Sequence, residues 1–123
     1  MNEQKKYNIN TDIKYDYLQI IDLPDIVNNC KDKWFNQTLC KVNDSLLRLG
    51  ILEGEFHWHK HEKEDELFFV LEGSLSIETE KDIFELEEKQ GVCIPKGLMH
   101  RPVTCGKVIV LMIENNTIKP TGD

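Results

Sequence analysis

From Trp34 onward, strand-length stretches of alternating or mostly apolar residues recur, each cut by Gly, Pro, Asn or Asp. Period two over such short lengths between turn formers is the pattern of half-buried strands. It predicts strands at Thr38 to Val42, Ser45 to Glu53, Glu55 to Lys60, Leu67 to Leu71, Ser74 to Glu80, Ile83 to Leu86, Gly91 to Ile94 and Val108 to Ile113. Ahead of them, Asp22-Leu23-Pro24 offers an N-cap and an early proline, so one short helix is expected from Asp22 to near Lys31 or Asp32. Residues 1–16 are polar without a sustained period. They are expected to be an arm, disordered or laid over a single domain of residues 17–123. No strand alternates with a long helix, so the reading is all-β: a small antiparallel barrel or jelly roll with a short N-terminal helix.

Composition narrows what such a barrel can do. The chain has 123 residues, enough for one core, and its longest apolar run, Val108 to Ile113, falls far short of a spanning helix. Fifteen basic against 22 acidic side chains leave a net charge of −7, which argues against nucleic acid and anionic lipid as partners. Lys5 and Lys6 are followed by polar residues rather than an apolar leader core, so the cytoplasm is the expected compartment. Cys30, Cys40, Cys93 and Cys105 show no C-x-x-C spacing and are expected to be reduced, buried thiols outside any metal site. The chain has no G-x-G-x-x-G, no G-x-S-x-G and no Walker lysine, which removes phosphate-cradling loops and covalent serine catalysis.

The chemistry concentrates in Phe56-His57-Trp58-His59-Lys60-His61. On a strand, alternation sends the three histidines to one face and Phe56, Trp58 and Lys60 to the other. His59 and His61 then have Cα atoms about 6.6 Å apart, close enough for both rings to reach one ion at about 2.0 to 2.2 Å. The run Glu62-Lys63-Glu64-Asp65 has the length of a solvated turn that folds Glu66 back beside them. His100 follows the Pro95-Lys96-Gly97 turn and can emerge facing the same interior. Three histidines and a glutamate from two hairpins would complete a ligand set.

Gly54 to Gly73 and Gly91 to His100 together resemble the two signature motifs of the cupin superfamily. His59, His61, Glu66 and Gly73 match the first motif, and Pro95, Gly97 and His100 match the Pro-x-Gly-x-x-His core of the second. The likeness runs from about Val42 to the C-terminus and is similar to small one-domain bacterial cupins, loosely described as phosphomannose-isomerase-like. It departs in having three residues between Gly91 and Pro95, and Thr104 where many cupins place Asn. The resemblance implies a double-stranded β-helix with His59, His61, Glu66 and His100 as ligands of one divalent transition metal (Fe, Mn, Ni or Zn). His57 matches no ligand position.

Two functions follow from this reading. One is a metal-dependent isomerase, lyase or dioxygenase acting on a small oxygenated metabolite, with His57 as the candidate catalytic acid or base and Glu55 as another. The other is a non-catalytic small-molecule-binding module with a structural metal. Arg101 and Lys96 are candidates to steer an anionic ligand. If the histidines face inward, Phe56, Trp58, Leu67, Phe69 and Leu71 face outward, and such an apolar row is expected either under the N-terminal segment or at a homodimer interface.

Overall fold

The computed structural model describes residues 7–123. In chain order the elements are β1 (Asn8–Asn10), α1 (Leu23–Asn29), β2 (Trp34–Val42), β3 (Ser45–Glu55), β4 (Glu66–Glu72), β5 (Leu75–Thr79), β6 (Ile83–Leu86), β7 (Gly91–Ile94) and β8 (His100–Asn115). The all-β jelly-roll reading holds, with its one short helix where Asp22 caps it by accepting from Asp25 N. That helix stops at Asn29, because Cys30 is already extended. Strand β8 is sixteen residues long, which lets it pair antiparallel with three partners at once. Its C-terminal half lies between β3 and β4, and its N-terminal part pairs β5. Strand β7 adds to β4, β6 to β5, and β2 to β3; β1 alone runs parallel to its neighbour, β2.

Alternation along β8 sorts the core into two layers. Val108, Val110 and Met112 point into the barrel, where they meet Leu52, Phe68, Val70, Leu75, Ile77 and Ile94. Ile109 points the other way and packs with Leu39, Leu49, Ile51 and the helical Ile26. Helix α1 therefore covers one outer face of the sheet. Each fully buried aliphatic or aromatic side chain contributes about 1.5 to 3 kcal/mol relative to its exposed state. At Gly50 the packing is close enough that a Cβ would approach Val110 Cγ1 to 2.9 Å.

Several sequence expectations are corrected. The stretch from Phe56 to Lys60 is not a strand: β3 ends at Glu55, and only His59 makes an isolated bridge, to His100. The register shifts between Leu52 and Gly54, whose φ of +109° breaks the pleat, and the alternation counted through it fails. Phe56 consequently turns inward instead of outward, stacked on Trp34 at 5.2 Å between ring centres and 4.4 Å from Tyr7. Leu67 and Leu71 are half-buried, and Leu71 packs against the layer under α1. Of the expected outward row, only Trp58 and Phe69 are exposed. The first six residues of the polar arm lie outside the described residues; Tyr7 is in the core and Asn8–Asn10 pairs with β2. The four cysteines are free thiols, but Cys93 and Cys105 are exposed and Cys30 and Cys40 half-buried, so none fills a core position.

Candidate metal centre

His59, His61, Glu66 and His100 are all buried, and one donor atom from each lies within 4.8 Å of every other. Two stretches of chain meet to do this. His59 N donates to His100 O at 3.0 Å and His100 N to His59 O at 2.8 Å, clasping the two histidine-bearing segments together. Gly97 N donates to His61 O at 2.8 Å, and Lys96 N to Asp65 Oδ1 at 2.9 Å, so the Pro95-Gly97 turn is fastened to the first loop. Glu66 opens β4 on its inward face, in the same row as Phe68 and Val70.

The ring orientations are set by backbone carbonyls. His59 Nδ1 lies 3.0 Å from His57 O, and His100 Nδ1 lies 2.8 Å from Leu98 O. A carbonyl only accepts, so both rings carry a proton on Nδ1 and direct Nε2 into the cluster. His100 Nε2 is nevertheless 3.3 Å from Glu66 Oε1, and His61 Nε2 is 3.4 Å from the same oxygen. A neutral His100 has no second proton to place between lone pair and carboxylate, whereas a cation resolves the contact. Donors about 3.0 to 3.4 Å apart are what ligands at about 2.1 Å around one first-row ion require. Both ring nitrogens of His61 also lack a hydrogen-bond partner among the described residues. The residues fit a divalent ion.

Electrostatics points the same way. Burial, then the adjacent His100, lowers the pKa of His59 to about 4, so it is neutral and available for coordination at ordinary pH. Burial pushes the Glu66 carboxyl up, but the Glu114 carboxyl and the rings of His100 and His61 around it outweigh burial and hold Glu66 below the usual carboxylate range. Glu114 is driven well above that range by burial and by Glu66 beside it. Arg48 Nη1 reaches Glu114 Oε1 at 2.9 Å, and Arg48 Nε donates to Thr38 Oγ1 at 3.0 Å. This buried Arg48–Glu114 pair was missed in the sequence. Its signal was the β8 alternation, which continues from Val108, Val110 and Met112 to Glu114.

The remaining candidates stand around this cluster. His57 is half-buried, its ring centre 5.4 Å from that of His59, and its Nε2 lies 2.7 Å from Thr121 O. Arg101 is bound to Glu78 at 2.9 Å and Glu55 at 3.3 Å and lies 5.1 Å over the Trp58 ring, so its charge is spent. The Lys96 side chain is exposed. The Thr104 hydroxyl donates to Gly106 O. Glu64, read as part of a solvated turn, is buried instead. The C-terminal segment packs against the cluster: Gly122 sits so near His59 that a Cβ there would come 2.6 Å from His59 Cβ, and Pro120 lines a cavity of about 20 Å³ beside His59.

Comparison with known proteins agrees with this geometry. The family described as Cupin domain matches residues 49–114, from β3 through β8. This chain is a cupin. It is 38% identical over 91 residues to an uncharacterised protein, YdbB, of Bacillus subtilis, spanning 73% of this cupin and 80% of that relative. Among solved structures it is similar to a cupin-2 domain containing protein from Shewanella frigidimarina, at 28% identity and TM-score 0.73 over 93% of this chain and 99% of the other. The fold alone is shared with KdgF from a Halomonas species, at 18% identity and TM-score 0.63, over 89% of this chain and 92% of that one. Among the described residues no helix of this cupin is long and apolar enough to cross a membrane.

Proposed function

We propose that this cupin is a metal-dependent enzyme that acts on a small oxygenated metabolite, by isomerisation, elimination or dioxygenation. The observation that carries the reading is the convergence of His61 Nε2 and His100 Nε2 on Glu66 Oε1, with His59 alongside, in a buried pocket. His59, His61, Glu66 and His100 would hold one ion, with Fe, Mn, Ni or Zn suited to three nitrogens and a carboxylate. When bound, such an ion supplies Lewis-acid stabilisation of negative charge on a substrate oxygen, or dioxygen activation if it is iron.

The chain's own residues supply the rest. Phe56 and Phe68 wall the cavity beside His59 with apolar surface. His57 is the catalytic candidate: it is not in the ligand set, and with its Nε2 proton given to Thr121 O its ring is neutral or a proton donor according to the state of Nδ1. A cavity of about 20 Å³ holds at most one water, so a substrate enters only when Pro120 and its neighbours withdraw. The same closure favours a second reading, a non-catalytic binding module with a structural metal. The protein is proposed to be a single barrel domain over residues 17–123 with the preceding arm laid over it through Tyr7 and Asn8–Asn10, cytoplasmic, and a homodimer through its exposed apolar side chains, Trp58 and Phe69 among them.

Metal analysis of protein purified without chelator, followed by metabolite screening with the metal found, tests the reading. One ion per chain and turnover abolished by Glu66→Gln is the expected result. One ion per chain with ligand binding but no turnover establishes the binding module, and no ion at all overturns both.

A further inference from the structure

His59 and His100 fix their rings in the same way, each giving its Nδ1 proton to the carbonyl two residues earlier. His61 does not: the carbonyl two residues before it, His59 O, accepts instead from His100 N at 2.8 Å in the bridge that clasps the two motifs. His61 is 2% exposed, and neither ring nitrogen has a hydrogen-bond partner among the described residues. Its Nε2 is the nitrogen beside Glu66 Oε1, which leaves Nδ1–H pointing away from the metal cluster and in need of an acceptor.

An acceptor lies next to it. Glu64 is 8% exposed, and one of its oxygens, Oε2, accepts from Thr117 Oγ1 at 2.7 Å. The other, Oε1, is buried with no partner. A ring nitrogen of His61, a carboxylate oxygen of Glu64 and one of Asp123 lie within 4.8 Å of one another. Two orphaned groups of opposite kind, one donor and one acceptor, are thus buried in one cluster, beyond direct hydrogen-bond distance but within the span of a small side-chain rotation or one bridging water.

We infer that Glu64 is a positioning residue for His61: after a small rotation or through one bridging water, Oε1 accepts the Nδ1 proton of His61, turning Nε2 toward the metal, while Thr117 holds the carboxylate in place. Carboxylates behind ligating imidazoles commonly set ring orientation and basicity in this way. Asp123 reinforces the arrangement through the backbone, accepting from Glu62 N at 2.6 Å and donating its own N–H to Lys60 O at 2.9 Å. A second ion among His61, Glu64 and Asp123 is the competing use of the same groups. It requires His61 to surrender its last N–H proton, so a carboxylate acceptor is the less costly partner. This role rests on the proposed metal centre, but its first readout does not need the metal.

The test uses the full chain. In metal-free, nitrogen-15-labelled protein at neutral pH, imidazole long-range spectra are expected to show His61 as the Nδ1–H tautomer. In Glu64→Ala that tautomer gives way to a mixture, and affinity for zinc, measured by chelator competition, falls about 10- to 100-fold. Glu64→Gln keeps an acceptor oxygen and restores most of the affinity. If Glu64→Ala fails to fold, Thr117→Val serves in its place, with a smaller loss in the same direction. A wild-type His61 in the Nε2–H form, or an unchanged tautomer and zinc affinity in Glu64→Ala, overturns the inference. So does binding of two zinc ions with Glu64→Ala losing only the second. Absence of zinc binding in the wild type defeats the metal-centre reading while leaving the tautomer to decide the role of Glu64.

Discussion

Glu66 and Glu114 stand directly opposite each other on β4 and β8, and both side chains are inside the barrel. Two carboxyls in one dry interior are tolerable only because the surroundings differ on each side. Histidine nitrogens gather around Glu66, and Arg48 holds Glu114. The His–Glu cluster and the Arg48–Glu114 pair are therefore joined through the two adjacent carboxyls.

Arg48→Met removes the cation and leaves Glu114 without its partner in the interior. A stability loss of about 1 to 3 kcal/mol is expected, read by urea unfolding. Adding Glu114→Leu to it is expected to recover a large share, because the uncompensated polar group goes too.

Changes at the histidines separate ligand from neighbour. His59→Ala and Glu66→Gln are expected to lower metal occupancy sharply, and His57→Ala to lower it little, measured by elemental analysis of protein purified side by side. Equal losses at 57 and 59 would place the ligand set two residues from where the geometry has it.

Acid should weaken the metal-free fold in a defined window. The pKa of His59 is about 4 in the folded protein, against about 6.5 for a free ring. Between those values the unfolded chain binds a proton that the folded one refuses, so stability rises with pH there and falls as pH drops through it. The effect is on the order of 3 kcal/mol across the window. Denaturant midpoints at neutral and mildly acidic pH measure it, and His59→Gln is expected to flatten the dependence.

Much of this was legible beforehand, for a physical reason. The spacing of His59, His61, Glu66 and His100 is a local property of two short segments, and the turn residues that bring the segments together stand between them in the chain. Phe56 was misread because Gly54 shifts the register, and a period-two count survives no such shift. The start of β8 was missed because Pro102, Thr104 and Gly106 look like loop residues, while pairing with β3 and β5 makes them strand. Glu64 and Glu114 were missed because a buried acid is recognisable only from the partner that comes to it, here Thr117 and Arg48 from distant parts of the chain.

Gly122→Val should dislodge the C-terminal segment. The new Cβ meets His59, and the φ of +97° at this position is strained for any side chain but glycine. Faster removal of bound metal by chelator is expected, with a stability loss of about 1 kcal/mol. An unchanged release rate would mean the segment does not guard the cluster.

Oligomeric state follows from the exposed apolar side chains that remain. Light scattering is expected to give a dimer mass, and Phe69→Glu a monomer with an unchanged far-ultraviolet circular dichroism spectrum. A wild-type monomer at micromolar concentration would remove the dimer from consideration.

Strand β8 has a consequence for how the protein is made. It supplies His100 and pairs with β3, β4 and β5, yet among the described strands it is the last to leave the ribosome. Chains emerge N-terminus first, at about 5 to 20 residues per second. The nascent chain therefore carries His59, His61 and Glu66 for several seconds with no barrel to hold them, so the metal centre can be loaded only once β8 has emerged.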